Sequence, residues 1–378
     1  MDDMGTGPDN GEAKREMVKV MHVTESMSTG VLDVIRTICE ALSDDVEFEI
    51  LYSRRPETPS KVQELFSSNV GLKTWNAVRE LSPRSDWSAI RTLRQSVAEY
   101  KPDLIHAHSS KAGALARLSF PFGGVPVCYS PHGYSFLRRD ISLPMRTLYR
   151  WVEWLLGRTP AVTVAVGLGE YALALATSRR ALMISNTIEL PACYRPIADR
   201  VNVRPLRVVT AGRISPQKNF PLFCRIAEAL MGEPVRFTWI GSGELPPGLS
   251  VPSNTTVTGW VERTEALELM AKAHVYLQTS LWEGLPITVL EASSLGLPIL
   301  AKPSVGNLEL VLEGENGFTC DRTEEFVDRI LALEAAPDQL IRLGATSRKL
   351  AEVGYIREAA VPRWRSLYTN IEHYRRFG

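Results

Sequence analysis

Short runs rich in β-branched apolar residues alternate along the chain with segments whose apolar residues recur every three to four positions. Residues 18–23 read as a first strand. Val31, Val34, Ile35, Ile38 and Leu42 then line one face of a helix. Residues 46–52 predict a second strand, and Trp87, Ile90, Leu93 and Val97 mark another helix. Strands at 104–107, 125–129, 161–166 and 181–184 continue the series. Through residues 191–206 the periodicity lapses among prolines, which predicts a linker. It restarts with strand 207–210, helix 220–231 and strand 236–240. Next come strand 256–261, helix 264–273, strand 275–278, helix 285–295 and strand 298–301; from Thr323 onward nearly everything is helical. Such alternation predicts α/β architecture with parallel sheets covered on both faces. Two Rossmann-like, doubly wound domains in tandem would face each other across a cleft at the carboxyl ends of their strands.

A chain of 378 residues suits two domains of ordinary size. With 44% hydrophobic and 23% charged residues it has apolar mass for two cores. Lys plus Arg and Asp plus Glu each number 43, so no global field points to nucleic acid. The five cysteines are scattered without a CxxC pair, which argues for a reducing compartment and against a disulfide framework or zinc site. No apolar run approaches the roughly eighteen residues of a spanning helix. Residues 1–16 are Gly, Asp and Pro-rich, and read as a disordered tail rather than a signal peptide. The expectation is a cytoplasmic protein.

Candidate chemistry concentrates after predicted strand 275–278, in Ser280-Leu-Trp-Glu-Gly-Leu-Pro-Ile-Thr-Val-Leu-Glu-Ala292. Gly284 should free the backbone to turn, and Pro286 is preset for the first turn of a helix. Uncapped N–H groups at that helix mouth, around Gly284, Leu285, Pro286 and Ile287, favour a phosphate. Glu283 precedes the mouth, and Glu291 should lie about 10 Å beyond it. Carboxylates on both sides of a phosphate site suit a diphosphate between two hydroxyl-rich sugars, as in a nucleotide-sugar. Arg213 and Lys218 follow strand 207–210, where a guanidinium fork and a compact ammonium could neutralise that diphosphate.

These strings, Glu283 to Glu291 and Gly212-Arg213 to Lys218, resemble the signature of retaining glycosyltransferases of family 4 (glycosyl transferases group 1), which have the GT-B fold. The resemblance implies that Glu291 binds ribose hydroxyls and that Glu283 contacts the donor sugar. It implies that Arg213 and Lys218 hold the diphosphate, with the leaving phosphate serving as base. His132 in Pro131-His-Gly-Tyr134 resembles the family's active-site histidine. Gly30 opens a helix where the family usually has consecutive glycines, whereas this chain has Thr29-Gly30. The loops at Gly241, Gly243 and Trp260 would flank the nucleoside base, with Trp260 equally suited to packing. No Asp-x-Asp motif occurs, so a metal-free mechanism without cofactor fits. His106 and His108 alternate, but no third ligand is near them in sequence. The nucleotide-sugar is a substrate, with UDP favoured over GDP.

On the acceptor side, His108, Lys111 and Tyr134 are cleft candidates. Segment 142–156 places Leu148, Trp151, Val152, Leu155 and Leu156 at helical spacing, with Arg146 and Arg150 on another face. It reads either as a core-packing helix with a solvated basic face, or as one that lies peripherally on an anionic membrane. A glycan or lipid-linked acceptor, in surface polysaccharide assembly on the inner face of the plasma membrane, is the expected partner. The expected layout is tail 1–16, acceptor-side domain 17–190, linker 191–206, nucleotide-sugar domain 207–354, and a helix 355–378 crossing back. A nucleotide-sugar 2-epimerase shares this fold but would not be expected to carry all these elements together. A non-catalytic nucleotide-sugar-binding partner is the other alternative.

Overall fold

The computed structural model describes residues 17–377 apart from Ser28 and Arg79, so the tail expected over 1–16 lies outside the described residues. The first half runs β1 (Val18–Thr24), α1 (Thr29–Ala41), β2 (Val46–Tyr52), β3 (Gly71–Thr74), α2 (Pro83–Tyr100), β4 (Leu104–His108) and α3 (Ser110–Ser119). It continues with β5 (Val127–Ser130), α4 (Leu143–Leu156), β6 (Val162–Ala165), α5 (Leu168–Thr177) and β7 (Ala181–Met183). The second half has β8 (Leu206–Ala211), α6 (Phe220–Ala229), β9 (Val235–Ile240), β10 (Thr255–Val257), α7 (Arg263–Ala271), β11 (Val275–Gln278) and α8 (Ile287–Ser294). Then follow β12 (Ile299–Ala301), α9 (Asn307–Leu310), β13 (Gly317–Thr319), α10 (Thr323–Ala335), α11 (Pro337–Gly354), α12 (Arg357–Thr369) and α13 (Ile371–Phe377).

Two all-parallel sheets result, ordered β3-β2-β1-β4-β5-β6-β7 and β10-β9-β8-β11-β12-β13. Each is doubly wound, with apolar layers on both faces. In the first sheet Val20, Phe48 and Ile50 pack towards α1 and α12, and Met21, Leu51 and Ile105 towards α2 and α3. In the second, Val208, Phe237 and Leu277 meet α6 and α10, while Val209, Tyr276 and Ile299 meet α7 and α8. Strand order reverses between β1 and β4 and again between β8 and β11. Loops leaving the carboxyl ends of strands diverge at such points and leave a crevice.

Several expectations change. β10 stops at Val257, four residues early, as Thr258 turns its hydroxyl onto the Gly259 carbonyl at 2.7 Å. Segment 191–206 packs rather than hanging free: Ile197 and Val201 are buried in the second core. Two passages cross between the sheets side by side, with the Ile188 amide donating to Tyr355 O at 2.9 Å and the Arg357 amide to Ile188 O at 3.2 Å. Beyond this crossing, α12 inserts Ala360, Trp364, Leu367 and Tyr368 into the first core.

The largest surprise is α4. Leu148, Trp151 and Leu155, three of the five residues expected on its apolar stripe, are exposed, together with Leu143 and Trp154. The core-packing reading is therefore corrected for most of the stripe. The inward face is anchored instead by buried Glu153, which accepts hydrogen bonds from Arg117 and Tyr129, each at 2.8 Å.

Candidate active site

The loops after β8 and β11 meet at the second switch point and are tied to each other. The Leu281 amide donates to Gln217 O at 2.8 Å, and the Thr279 hydroxyl to Lys218 O at 2.7 Å. This contact sets Lys218 Nζ 2.7 Å from Glu283 Oε1. Gln278 and Gln217 also donate to the Glu283 carboxylate, at 3.3 and 3.2 Å. Burial works against the Lys218 charge, but Glu283 outweighs it and holds the ammonium above its ordinary value. Arg213 projects further out, and its guanidinium reaches across the cleft to Glu57 of the first domain at 2.7 Å.

Gly241 and Gly243 serve this loop from behind. Both have positive φ, 136° and 154°, and a Cβ on either would lie 2.3 Å from Gly212 O or 2.4 Å from Ile214 O. They are required for close approach of the β9 loop to the strand end that carries Arg213. Trp260, by contrast, is 69% exposed, so its packing alternative is excluded.

α8 starts at Ile287, with Pro286 as the residue before its first turn rather than inside it. Glu291 is therefore one turn in, about 6 Å along the axis, closer to the mouth than expected. Arg263 at the start of α7 pairs with it at 2.9 Å. Burial, with Asp33 of α1 adding repulsion, pushes the Glu291 carboxyl up to about 7 against the pull of Arg263. Ile287 touches the first turn of α1, where a Cβ on Gly30 would lie 3.5 Å from Ile287 Cδ1. Two helix N-termini thus converge from opposite domains, an arrangement that favours an anion between them.

Gly284 does not adopt positive φ, so the expected role in turning is corrected. Its Cβ would sit 2.7 Å from Gly133 N and 3.0 Å from His132 C, and the glycine lets two backbones of opposite domains touch. His132 opens this contact at φ 51°, in the left-handed region. Behind it, Gly133 N–H and Val166 N–H donate to the two oxygens of Glu170 at 2.6 and 2.9 Å. Burial pushes the Glu170 carboxyl up to about 7, opposed by those two amides. Arg263, Glu57 and Glu170 carry no local sequence signal, and pairing across the fold reveals them.

The acceptor-side candidates fare differently. Tyr134 is fully buried against Tyr129 and Phe136, so it is a core residue. His108 is also fully buried and reaches the cleft only through His132, at 2.9 Å. Lys111 is committed to Asp86 at 2.6 Å and to Glu80 O at 2.9 Å. At the first switch point, the Ser109 hydroxyl donates to Glu25, and Ser109 itself holds φ 79°. The third histidine that sequence spacing failed to supply is His22 of β1; one ring nitrogen from each of His22, His106 and His108 lies within 4.8 Å of the others.

Among known proteins, the family model "Glycosyl transferases group 1" matches residues 205–335, and "Glycosyl transferase 4-like domain" matches residues 29–187. The UDP-Gal:alpha-D-GlcNAc-diphosphoundecaprenol alpha-1,3-galactosyltransferase of Escherichia coli is 25% identical over 64% of this chain and 68% of its own length. An uncharacterized protein of the Klebsiella pneumoniae cps region is 22% identical over 80% and 85%. The structure of sucrose-phosphate synthase from Thermosynechococcus elongatus superposes with TM-score 0.77 at 16% identity, covering 94% of this chain and 99% of that one. Anabaena HepE in complex with UDP-glucose superposes at 0.75 with 17% identity, over 93% and 99%. Both likenesses are of fold.

Proposed function

Since this chain belongs to the glycosyl transferases group 1, family 4 glycosyltransferases of GT-B fold, we propose that it transfers a hexose from a UDP-sugar, with retention and without a metal, to a lipid-linked glycan. The observation that carries this reading is the convergence at the second switch point. Lys218, Arg213 and the N-termini of α1 and α8 concentrate positive potential, with Glu283 before it and Glu291 one turn beyond.

The chemistry follows from charge. Breaking the bond from the sugar to the diphosphate adds a negative charge to the terminal phosphate, which becomes a dianion, and preorganised donors stabilise it as it departs. Arg213 and Lys218 supply this stabilisation where a metal ion would otherwise be needed. Glu283 orients Lys218 and accepts from donor-sugar hydroxyls, while Glu291 accepts from the ribose. UDP is preferred over GDP by analogy with the relatives whose names specify it. The departing phosphate takes the acceptor hydroxyl's proton. The test is thermal stability with UDP, GDP, ADP or buffer, on the wild type and on Glu291→Ala. A rise with UDP that weakens in the variant is expected. No rise with any nucleotide in a folded sample would sink the donor site.

The acceptor reading gains from α4. Its outward face joins Leu143, Leu148, Trp151, Trp154 and Leu155, with Arg150 exposed among them and Arg146 beside them. An apolar strip with cationic neighbours suits the interface of an anionic bilayer, where a lipid-linked acceptor is presented. Co-sedimentation with phosphatidylglycerol–phosphatidylcholine vesicles at low salt is expected. Its absence would rule out this mode of acceptor delivery.

A further inference from the structure

The first sheet holds a histidine cluster that the donor site does not use directly. His22, His106 and His108 are each fully buried between β1 and β4. One row of hydrogen bonds leads from it to the cleft. His22 Nδ1 lies 2.8 Å from His108 Nε2, and His108 Nδ1 lies 2.9 Å from His132 Nε2. At the inner end His22 Nε2 is buried with no hydrogen-bond partner among the described residues, its ring stacked on Phe48 at 5.4 Å. His106 stands apart from the row, with Nδ1 at 2.7 Å from the Tyr368 hydroxyl and Nε2 at 2.9 Å from the Ser130 hydroxyl. Burial depresses His22 to about 3, His132 to about 4 and His108 well below its ordinary value, so the rings are neutral.

A neutral imidazole has one N–H and one bare nitrogen, so each hydrogen bond in the row dictates the state of the next ring. Two proton arrangements satisfy both bonds. In the first, every ring carries its proton on Nδ1. His22 donates to His108, His108 donates to His132 Nε2, and His132 is left with an N–H on Nδ1. In the second, every ring carries its proton on Nε2. His132 then donates inward, its Nδ1 is a bare acceptor, and His22 holds an N–H on the orphaned Nε2. Native proteins leave buried N–H groups unpaired more rarely than they under-use acceptors, which disfavours the second arrangement.

We infer that His22 and His108 are positioning residues that set the tautomer of His132, so that Nδ1 is a hydrogen-bond donor and not a base. The consequence for function rests on the proposal that His132 borders the donor sugar. There His132 gives a hydrogen bond to an oxygen of the sugar or the departing phosphate, and does not take the acceptor's proton. The cluster does not suit a metal in this arrangement. Both nitrogens of His106 and both of His108 are already engaged, leaving only His22 Nε2.

The test uses the full chain with 15N-labelled histidine and long-range proton–nitrogen correlation, with His132 assigned by its loss in His132→Gln. The expected wild-type spectrum shows protonated Nδ1 and bare Nε2 on His132. His22→Met packs against Phe48 and offers a thioether sulfur, an acceptor only, near the position of Nδ1, and should turn the row so that His132 carries its proton on Nε2. His22→Asn restores an N–H near the position of Nδ1 and should recover the single form. A bare Nδ1 on wild-type His132 would overturn the inference even if no variant folds, as would an unchanged His132 in folded His22→Met. So would a zinc-induced rise in Tm that His22→Phe abolishes, which would make the cluster a metal site. None of these readouts needs nucleotide, so failure of the donor site registers separately, in the UDP thermal shift.

Discussion

An alanine at Gly284 would drive its Cβ to 2.7 Å from the amide nitrogen of Gly133, backbone against backbone, where no side-chain rotation relieves it. The domains would have to part slightly at the point where His132 and Glu283 come together. Overpacking of this kind costs about 1–3 kcal/mol, and hydrolysis of a UDP-sugar by Gly284→Ala should fall about tenfold or more. A rate equal to wild type would show that the contact does not shape the site. Glu170 acts on the same turn from behind. Its carboxyl is raised to about 7, so the folded chain binds more protons than the unfolded chain between the ordinary carboxyl range and that value. Its contribution to stability is therefore present at acid pH and lost as pH rises through about 7. Tm should fall as pH rises from about 4.5 to about 7 and then level off, and the fall should shrink in Glu170→Gln. A pH profile identical in the two proteins would contradict the assignment. Neither role is legible locally, because Gly284 resembles any turn glycine and Glu170 any helix-surface acid until Gly133 arrives beside both.

At the scale of elements, the periodic signal found most strands and several helices, including β2 and β11 to the residue. It missed β3 and β13. β3 is an edge strand of Gly-Leu-Lys-Thr with no buried residue, so it carries no apolar run to detect. β13 is three residues long and opens on a glycine. α4 shows the opposite limit. The spacing of Leu148, Trp151 and Leu155 correctly gives a helix with one apolar face, but spacing does not say which way that face points. Arg117 and Tyr129 decide it by capturing Glu153 on the other side. Changing Trp151→Ser and Leu155→Ser together should alter stability little, about 0.5 kcal/mol per exposed site or less. Vesicle binding should drop at least about tenfold, since each apolar side chain withdrawn from water is worth about 1.5–3 kcal/mol. Loss of Tm without loss of vesicle binding would return α4 to a packing role.

Across the whole molecule, the two domains are joined by the 188/356 crossing, by α12 in the first core, and by contacts over the cleft. The Arg213–Glu57 pair is one of these contacts, and it neutralises a cation proposed to hold the diphosphate. The pair is half-exposed, so releasing it is worth only about 0.2–1 kcal/mol, and Glu57→Gln should tighten UDP binding by about two- to fivefold. Weaker binding would mean that Glu57 supports the site rather than competing within it. What the sequence determined by itself is the class of fold and the strand-end loops that carry chemistry. Both follow from local rules, since hydrophobic period dictates strand or helix and parallel sheets direct their loops to one edge. Arg213, Lys218 and Glu283 were readable because each lies on the loop leaving a recognisable strand, and Glu291 because it lies on the helix that follows one. The tertiary structure alone decided which groups answer them: Glu57 for Arg213, Arg263 for Glu291, Glu170 for the turn after His132, and His22 behind His108. Those partners are remote in sequence, and hydrogen bonding and burial are properties of the closed chain, so no window along it contains them.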